Sequence, residues 1–124
     1  MISIIIPTFN ESEYIESLIS SIFANQKGAI EVIVCDGGSS DDTRRLARLA
    51  GAKVVVSPQK GRAAQMNFGA SQATGDVLYF VHADVRLHSD FENDIYQAIN
   101  DGFFIGCYRY QFDSKHFHDS NKKI

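Results

Sequence analysis

DVLYFVHADVR, residues 76–86, is an apolar run that ends in two chemistry-bearing side chains. Val77, Leu78, Tyr79, Phe80 and Val81 favour extended backbone, and an unbroken run of this length fits a strand covered on both faces of a sheet. His82 and Asp84 follow at its end, two positions apart. An imidazole and a carboxylate there are potential metal ligands or proton carriers on a rigid support.

Upstream of it, the chain alternates short apolar runs with helical patterns. Residues 2–6 (ISIII) form one apolar run closed by Pro7. Ile15, Leu18, Ile19, Ile22 and Phe23 then recur at the spacing of a helix packed on a sheet. Asn10 is placed to cap that helix, with Glu13 three residues on. Residues 31–36 (EVIVCD) read as a second strand, followed by the small, polar turn GGSSDDT and a helix around Leu46 and Leu49. Residues 53–57 (KVVVS) read as a third strand. Residues 62–73 read as an Ala-rich helix carrying Ala63, Met66, Phe68 and Ala70, stopped by Gly75. Beyond residue 86, Phe91, Ile95, Ala98 and Ile99 predict a helix capped by Ser89 or Asp90, and residues 103–112 a last strand. The order βαβαβαβαβ with short connections implies one α/β domain over residues 1–124, its tail from about 114 irregular. Its sheet is open and mostly parallel, with helices on both faces.

Composition narrows the classes. Twelve Lys and Arg against fifteen Asp and Glu give a net charge of −3, which argues against a nucleic-acid partner held by bulk electrostatics. Cys35 and Cys107 fall in predicted strands without metal-type spacing and read as buried free thiols of a reducing compartment. The first residues lack a basic region and a long apolar run, so the expectation is a cytoplasmic protein.

Ligands of such sheets bind at the carboxyl ends of the strands. Four successive ends carry polar groups: Thr8, Asn10 and Glu11; Asp36, Ser39 and Asp41; Lys60 and Arg62; His82 and Asp84. The opposite ends read as bland: Lys27-Gly28, Gly51-Ala52 and Thr74-Gly75. Each candidate also has a plain structural reading. Asn10 and Ser39 can serve as helix caps, Asp36 can close a turn, and His82 can be a satisfied core histidine. A cation in a first helical turn, such as Arg62, is disfavoured by the helix dipole unless an anion is bound there. His88, His116 and His118 read as surface residues.

Three segments, SIIIPTFNESEYI, EVIVCDGGSSDDT and GRAAQMNFGASQATGDVLYFVHAD, together resemble the family 2 glycosyltransferases of the GT-A fold, a Rossmann-like nucleotide-binding architecture, in order and spacing over about residues 2–90. The resemblance implies a transfer of sugar from a nucleotide diphosphate sugar, a UDP-sugar in first place, to an acceptor that it does not name. It implies that Pro7, Thr8, Asn10 and Glu11 line the nucleotide pocket, that Asp36 meets the base, and that Ser39 and Asp41 support its loop. Arg62 would reach the base or the diphosphate. The family's D-x-D signature falls on His82-Ala83-Asp84, which makes Asp84 the ligand of a divalent cation, Mn²⁺ or Mg²⁺, and leaves His82 to the ribose or the metal. Such a cation neutralises the charge that develops on the leaving diphosphate.

The family's general base, a later carboxylate, has no matching motif among Asp90, Glu92, Asp94, Asp101, Asp113 and Asp119. The chain therefore reads as a nucleotide-sugar-binding part of such an enzyme, apparently truncated, or alternatively as a nucleotide-diphosphate-binding module without catalysis. A non-enzymatic interaction domain is the third possibility. Residues 103–112, rich in Phe and Tyr, predict self-association through an uncovered apolar edge. Peripheral membrane association is compatible with the resemblance.

Overall fold

The computed structural model describes residues 1–102. Eight elements alternate along it: β1 (Ile2–Thr8), α1 (Ile15–Ala24), β2 (Ile30–Asp36), α2 (Thr43–Leu49), β3 (Lys53–Val56), α3 (Arg62–Ser71), β4 (Val77–Phe80) and α4 (Phe91–Asn100). The expected last strand, and the self-association argued from it, lie outside the described residues.

All strand pairs are parallel, in the order β3-β2-β1-β4. β1 is central and buried along its whole length. Its period-two pattern divides its side chains between two apolar layers. Ile2, Ile4 and Ile6 join Val32 and Val34 of β2 in a core with Ile15, Leu18, Ile19 and Ile22 of α1, Ala47 of α2, and Phe91, Ile95 and Ala98 of α4. Ile5 and Cys35 face the other way, toward Gly69 of α3. The expected open parallel sheet with helices on both faces is the observed one.

α3 meets the sheet differently from its sequence pattern. Its buried residues are Gln65 and Gly69, whereas Ala63 is exposed and Met66, Phe68 and Ala70 are only partly covered. A Cβ at Gly69 would stand 2.7 Å from Ile5 Cγ2 and 3.3 Å from Cys35 Cβ. The helix is thus held against β1 and β2 by the absence of a side chain. Gly→Ala within a helix normally stabilises by about 1 kcal/mol, but overpacking against a central strand costs about 1–3 kcal/mol. Gly69→Ala is expected to lower stability by about 1 kcal/mol, read as a lower denaturant midpoint at unchanged slope.

Helix starts also depart from expectation. α1 begins at Ile15, with the Glu11 carbonyl accepting from the Tyr14 and Ile15 amides, so Asn10 is not its cap. Asn10 instead adopts a left-handed backbone (φ 54°), which asparagine tolerates better than most residues. Its Oδ1 accepts from the Ser40 amide at 2.9 Å, because the neighbouring loop offers that donor first. Asp90 does precede α4, but its carboxylate pairs with Lys27 Nζ at 2.6 Å and makes no cap bond.

Candidate functional site

The order β3-β2-β1-β4 reverses direction at β1: one crossover runs outward to β2, and the chain later returns to place β4 on the other side. Such a reversal opens a crevice beyond the carboxyl ends of the strands. Register decides what meets there. Thr8 pairs with Asp36 across β1 and β2, which puts their side chains together at the two strand ends.

Asp36 is fully buried and saturated. Its Oδ1 accepts from Thr8 Oγ1 at 2.8 Å and Ser39 Oγ at 2.6 Å. Its Oδ2 accepts from the Gly38 and Ser39 amides at 2.9 and 2.7 Å and from Arg44 Nη1 at 3.1 Å. Burial alone would push its carboxyl up, but the bonds from Ser39, Thr8 and Gly38 outweigh that and hold it below the usual carboxylate range. Ser39 is therefore no helix cap; its hydroxyl donates to Asp36 and accepts from the Asn10 amide at 2.8 Å. Asp41 sits in a second such knot. It binds the Thr43 hydroxyl and amide and the Ser12 amide, and the Thr43 hydroxyl in turn accepts from the Glu11 amide at 2.8 Å. The Thr43 hydroxyl is the first cause of an Asp41 carboxyl held at about 2. The loops after β1 and β2 are thus laced into one unit.

That unit forms one side of a cavity of about 370 Å³ lined by Pro7, Thr8, Phe9, Glu11, Gly37, Lys60, Gly61, Arg62 and Gln65. The volume suits a small organic ligand. Lys60 and Arg62 are exposed and bring two cations to a lining that also holds the Glu11 carboxylate. The Glu11 carboxyl is raised above its ordinary 4.5, first by partial burial, then by the charge of Asp84, with Arg62 opposing and Asp41 adding. Asp84 is exposed, beyond β4 in the segment where the Val85 amide bonds back to the His82 carbonyl at 3.1 Å. His82 is half-buried.

Of the residues singled out in the sequence, Pro7, Thr8, Glu11 and Arg62 line the cavity directly, and Lys60 lines it with them. Asn10, Asp36, Ser39 and Asp41 are not among its lining residues and brace the loops instead. Asp84 is near enough to Glu11 to perturb it electrostatically. Four lining residues went unread: the glycines Gly37 and Gly61, and the side chains of Phe9 and Gln65. Phe9 looks like a loop residue but is an aromatic side chain left 55% exposed. Gln65 lies in a helical run whose apolar pattern hides it.

A sequence profile described as Glycosyl transferase family 2 matches residues 3–123, nearly the whole chain. The chain belongs to the family 2 glycosyltransferases. It is 36% identical over 93 residues to the glucosyl-3-phosphoglycerate synthase of Mycolicibacterium smegmatis, covering 68% of this chain and 31% of that protein. The glycosyltransferase AglE of Haloferax volcanii is 31% identical over 98 residues, covering 73% and 32%. Among solved structures, the glucosyl-3-phosphoglycerate synthase of Mycobacterium tuberculosis superposes with a TM-score of 0.71 at 31% identity, over 80% of this chain and 40% of that one. The same enzyme has been crystallised with Mn²⁺, UDP and glucosyl-3-phosphoglycerate, and in another crystal with Mg²⁺ and UDP. The chain spans about a third of the length of the curated relatives it matches. These neighbours have the expected GT-A architecture.

One expectation about carboxylates changes. The edge read as bland holds Glu31, whose Oε2 gathers Ser3 Oγ at 2.7 Å, the Thr74 amide and hydroxyl at 2.6 Å each, and the Gly75 amide at 3.1 Å. At that same edge, Glu92 accepts from the Lys27 and Gly28 amides, while Asp90 pairs with Lys27. Asp90 and Glu92 are therefore spent far from the cavity and unsuited to act as its base. No helix among the described residues is long and apolar enough to cross a membrane.

Proposed function

We propose that this chain binds the donor of a sugar transfer, a UDP-sugar, in the cavity at the ends of β1 and β2, with a divalent cation held by Asp84. The observation that carries the reading is the meeting, in one cavity, of an exposed aromatic and two cations beside the Glu11 carboxylate. The base would lie against Phe9 and Pro7, the ribose near Glu11, and the diphosphate toward Lys60 and Arg62. Asn10, Asp36, Ser39 and Asp41 act by fixing the loops that carry Thr8, Glu11 and Gly37. His82 would hydrogen-bond the ribose. The UDP held by the M. tuberculosis relative supports this assignment.

The donor set fits the cation. No group of three or more His, Cys, Asp or Glu among the described residues could cage a metal. Mg²⁺ and Mn²⁺ need no cage here, since one carboxylate with phosphate oxygens and waters completes the coordination shell. Asp84 is an exposed, hard oxygen donor, and the charge it shares with Glu11 is the kind that a cation relieves. Bound there, the cation would stabilise the departing diphosphate as a Lewis acid. Phosphoglyceric acid occupies the M. tuberculosis relative in a separate crystal, and the acceptor here is expected to be hydroxyl-bearing. Transfer needs a base to take the proton of that hydroxyl.

Calorimetric titration with UDP, with and without Mn²⁺, tests the assignment. Mn²⁺ is expected to tighten UDP binding, and Asp84→Ala to abolish that gain, weakening binding in Mn²⁺ by about tenfold, or ~1.4 kcal/mol. Binding without metal should stay within about twofold of the unaltered chain. A metal-dependent gain that survives Asp84→Ala would remove Asp84 from the metal site.

A further inference from the structure

We propose that the side-chain oxygen of Gln65 reads the imide N–H of the nucleotide base, so that the cavity selects uracil- or thymine-type bases over cytosine. The inference rests on the donor-nucleotide reading above and extends it to a residue that the sequence patterns pass over.

Gln65 is only 5% exposed, unusual for a glutamine in the wall of an open cavity. Its Nε2 donates to the Thr8 carbonyl at 2.8 Å and to the Cys35 carbonyl at 3.0 Å. Those two acceptors use both amide protons and fix the orientation of the group, because the flipped amide would set its oxygen against two carbonyls. The carboxamide lies over Gly37, the neighbouring wall residue, where an added Cβ would stand 2.8 Å from Oε1, 2.9 Å from Cδ and 3.2 Å from Nε2. Among the described residues no hydrogen bond reaches Oε1. An acceptor held by its own amide bonds, without a protein donor and open to the cavity, is available to a donor from the ligand.

The chemistry of a nucleoside diphosphate leaves few choices. Phosphate oxygens are acceptors and are repelled by Oε1, while Lys60 and Arg62 draw them elsewhere in the cavity. The exposed ring of Phe9 and the ring of Pro7 offer a flat apolar surface for a base. Uracil and thymine present an N–H at ring position 3, and cytosine presents a lone pair there. Oε1 therefore gains a hydrogen bond from the first two and meets an acceptor in the third. Gly37 belongs to the same device, since any side chain there would collide with the Gln65 carboxamide.

The test is titration of the full chain in Mg²⁺ with UDP, 3-methyl-UDP and CDP, repeated on Gln65→Met with its fold checked by circular dichroism. For the unaltered chain, 3-methyl-UDP and CDP are each expected to bind at least about tenfold more weakly than UDP. In Gln65→Met the gap is expected to shrink to within about threefold. Equal binding of UDP and 3-methyl-UDP would overturn the inference in favour of a ribose hydroxyl as the donor. An undiminished gap in folded Gln65→Met would overturn it too, placing the readout on another residue. If Gln65→Met does not fold, the ¹³C resonance of the Gln65 carboxamide in the unaltered chain decides: movement with UDP but not with 3-methyl-UDP supports the assignment, and equal movement ends it. Failure of all three nucleotides to bind would instead sink the donor-nucleotide reading itself, and base selection with it.

Discussion

Asp36→Ala is expected to destabilise the protein by about 3–5 kcal/mol, the largest effect of any single change outside the apolar core. The substitution strips the acceptor from five donors at once: the hydroxyls of Thr8 and Ser39, the amides of Gly38 and Ser39, and the Arg44 guanidinium. Thr8 and Ser39 are themselves 2% and 4% exposed, so water cannot readily replace the lost partner. Each buried donor left unsatisfied costs about 1–3 kcal/mol, and relaxation of the loop recovers part of the sum. The loss should appear as a lower midpoint in urea unfolding. Asp36→Asn keeps the volume and one acceptor oxygen, and is expected to lose about half as much. A loss below about 1 kcal/mol for Asp36→Ala would mean that the two loops hold together without this carboxylate. UDP binding by the folded fraction should weaken as well, since Gly37 and Thr8 depend on the same knot for their positions.

How much of this was legible in the sequence depends on what each residue had to signal. The apolar runs that became β1, β2 and β4 announce themselves, because a strand covered on both faces has nothing else to be made of. The clustering of polar groups at the carboxyl ends was legible for the same reason. α3 was misread because its buried face is a glutamine and a glycine, which a hydrophobicity pattern records as solvent-facing. Asn10 was misread because its cap role is defined locally, whereas its actual partner, Ser40, is thirty positions away. Asp36 was seen, but its five partners exist only once β1 and β2 are in register. Glu31 carried no signal at all: one acid at the start of a strand is ordinary until Ser3, Thr74 and Gly75 arrive around it.

That half-buried edge acid gives the second large effect, and it depends on pH. The Glu31 carboxyl lies at about 2 instead of 4.5; burial works to raise it, and the Thr74 hydroxyl, the Ser3 hydroxyl and the Thr74 and Gly75 amides outweigh burial. Because the folded value is the lower one, the charged form stabilises the fold fully above the unfolded value near 4.5. The contribution drains away as pH falls from there toward 2. A shift of that size corresponds to about 3 kcal/mol at most, which partial exposure of the carboxylate trims to about 2 kcal/mol. Glu31→Gln isolates it. All four donors converge on Oε2, so the single oxygen of a glutamine can take its place without the charge. The variant is expected to be about 2 kcal/mol less stable at pH 7, with the difference shrinking steadily below pH 4.5 and nearly gone at pH 2. Urea midpoints of both proteins across that range check it. A difference that stays constant with pH would mean the donors serve a neutral acceptor equally well. UDP binding at pH 7 should be unchanged in the variant, because Glu31 fastens the turn before β4 to the start of β1, at the edge of the sheet opposite the cavity.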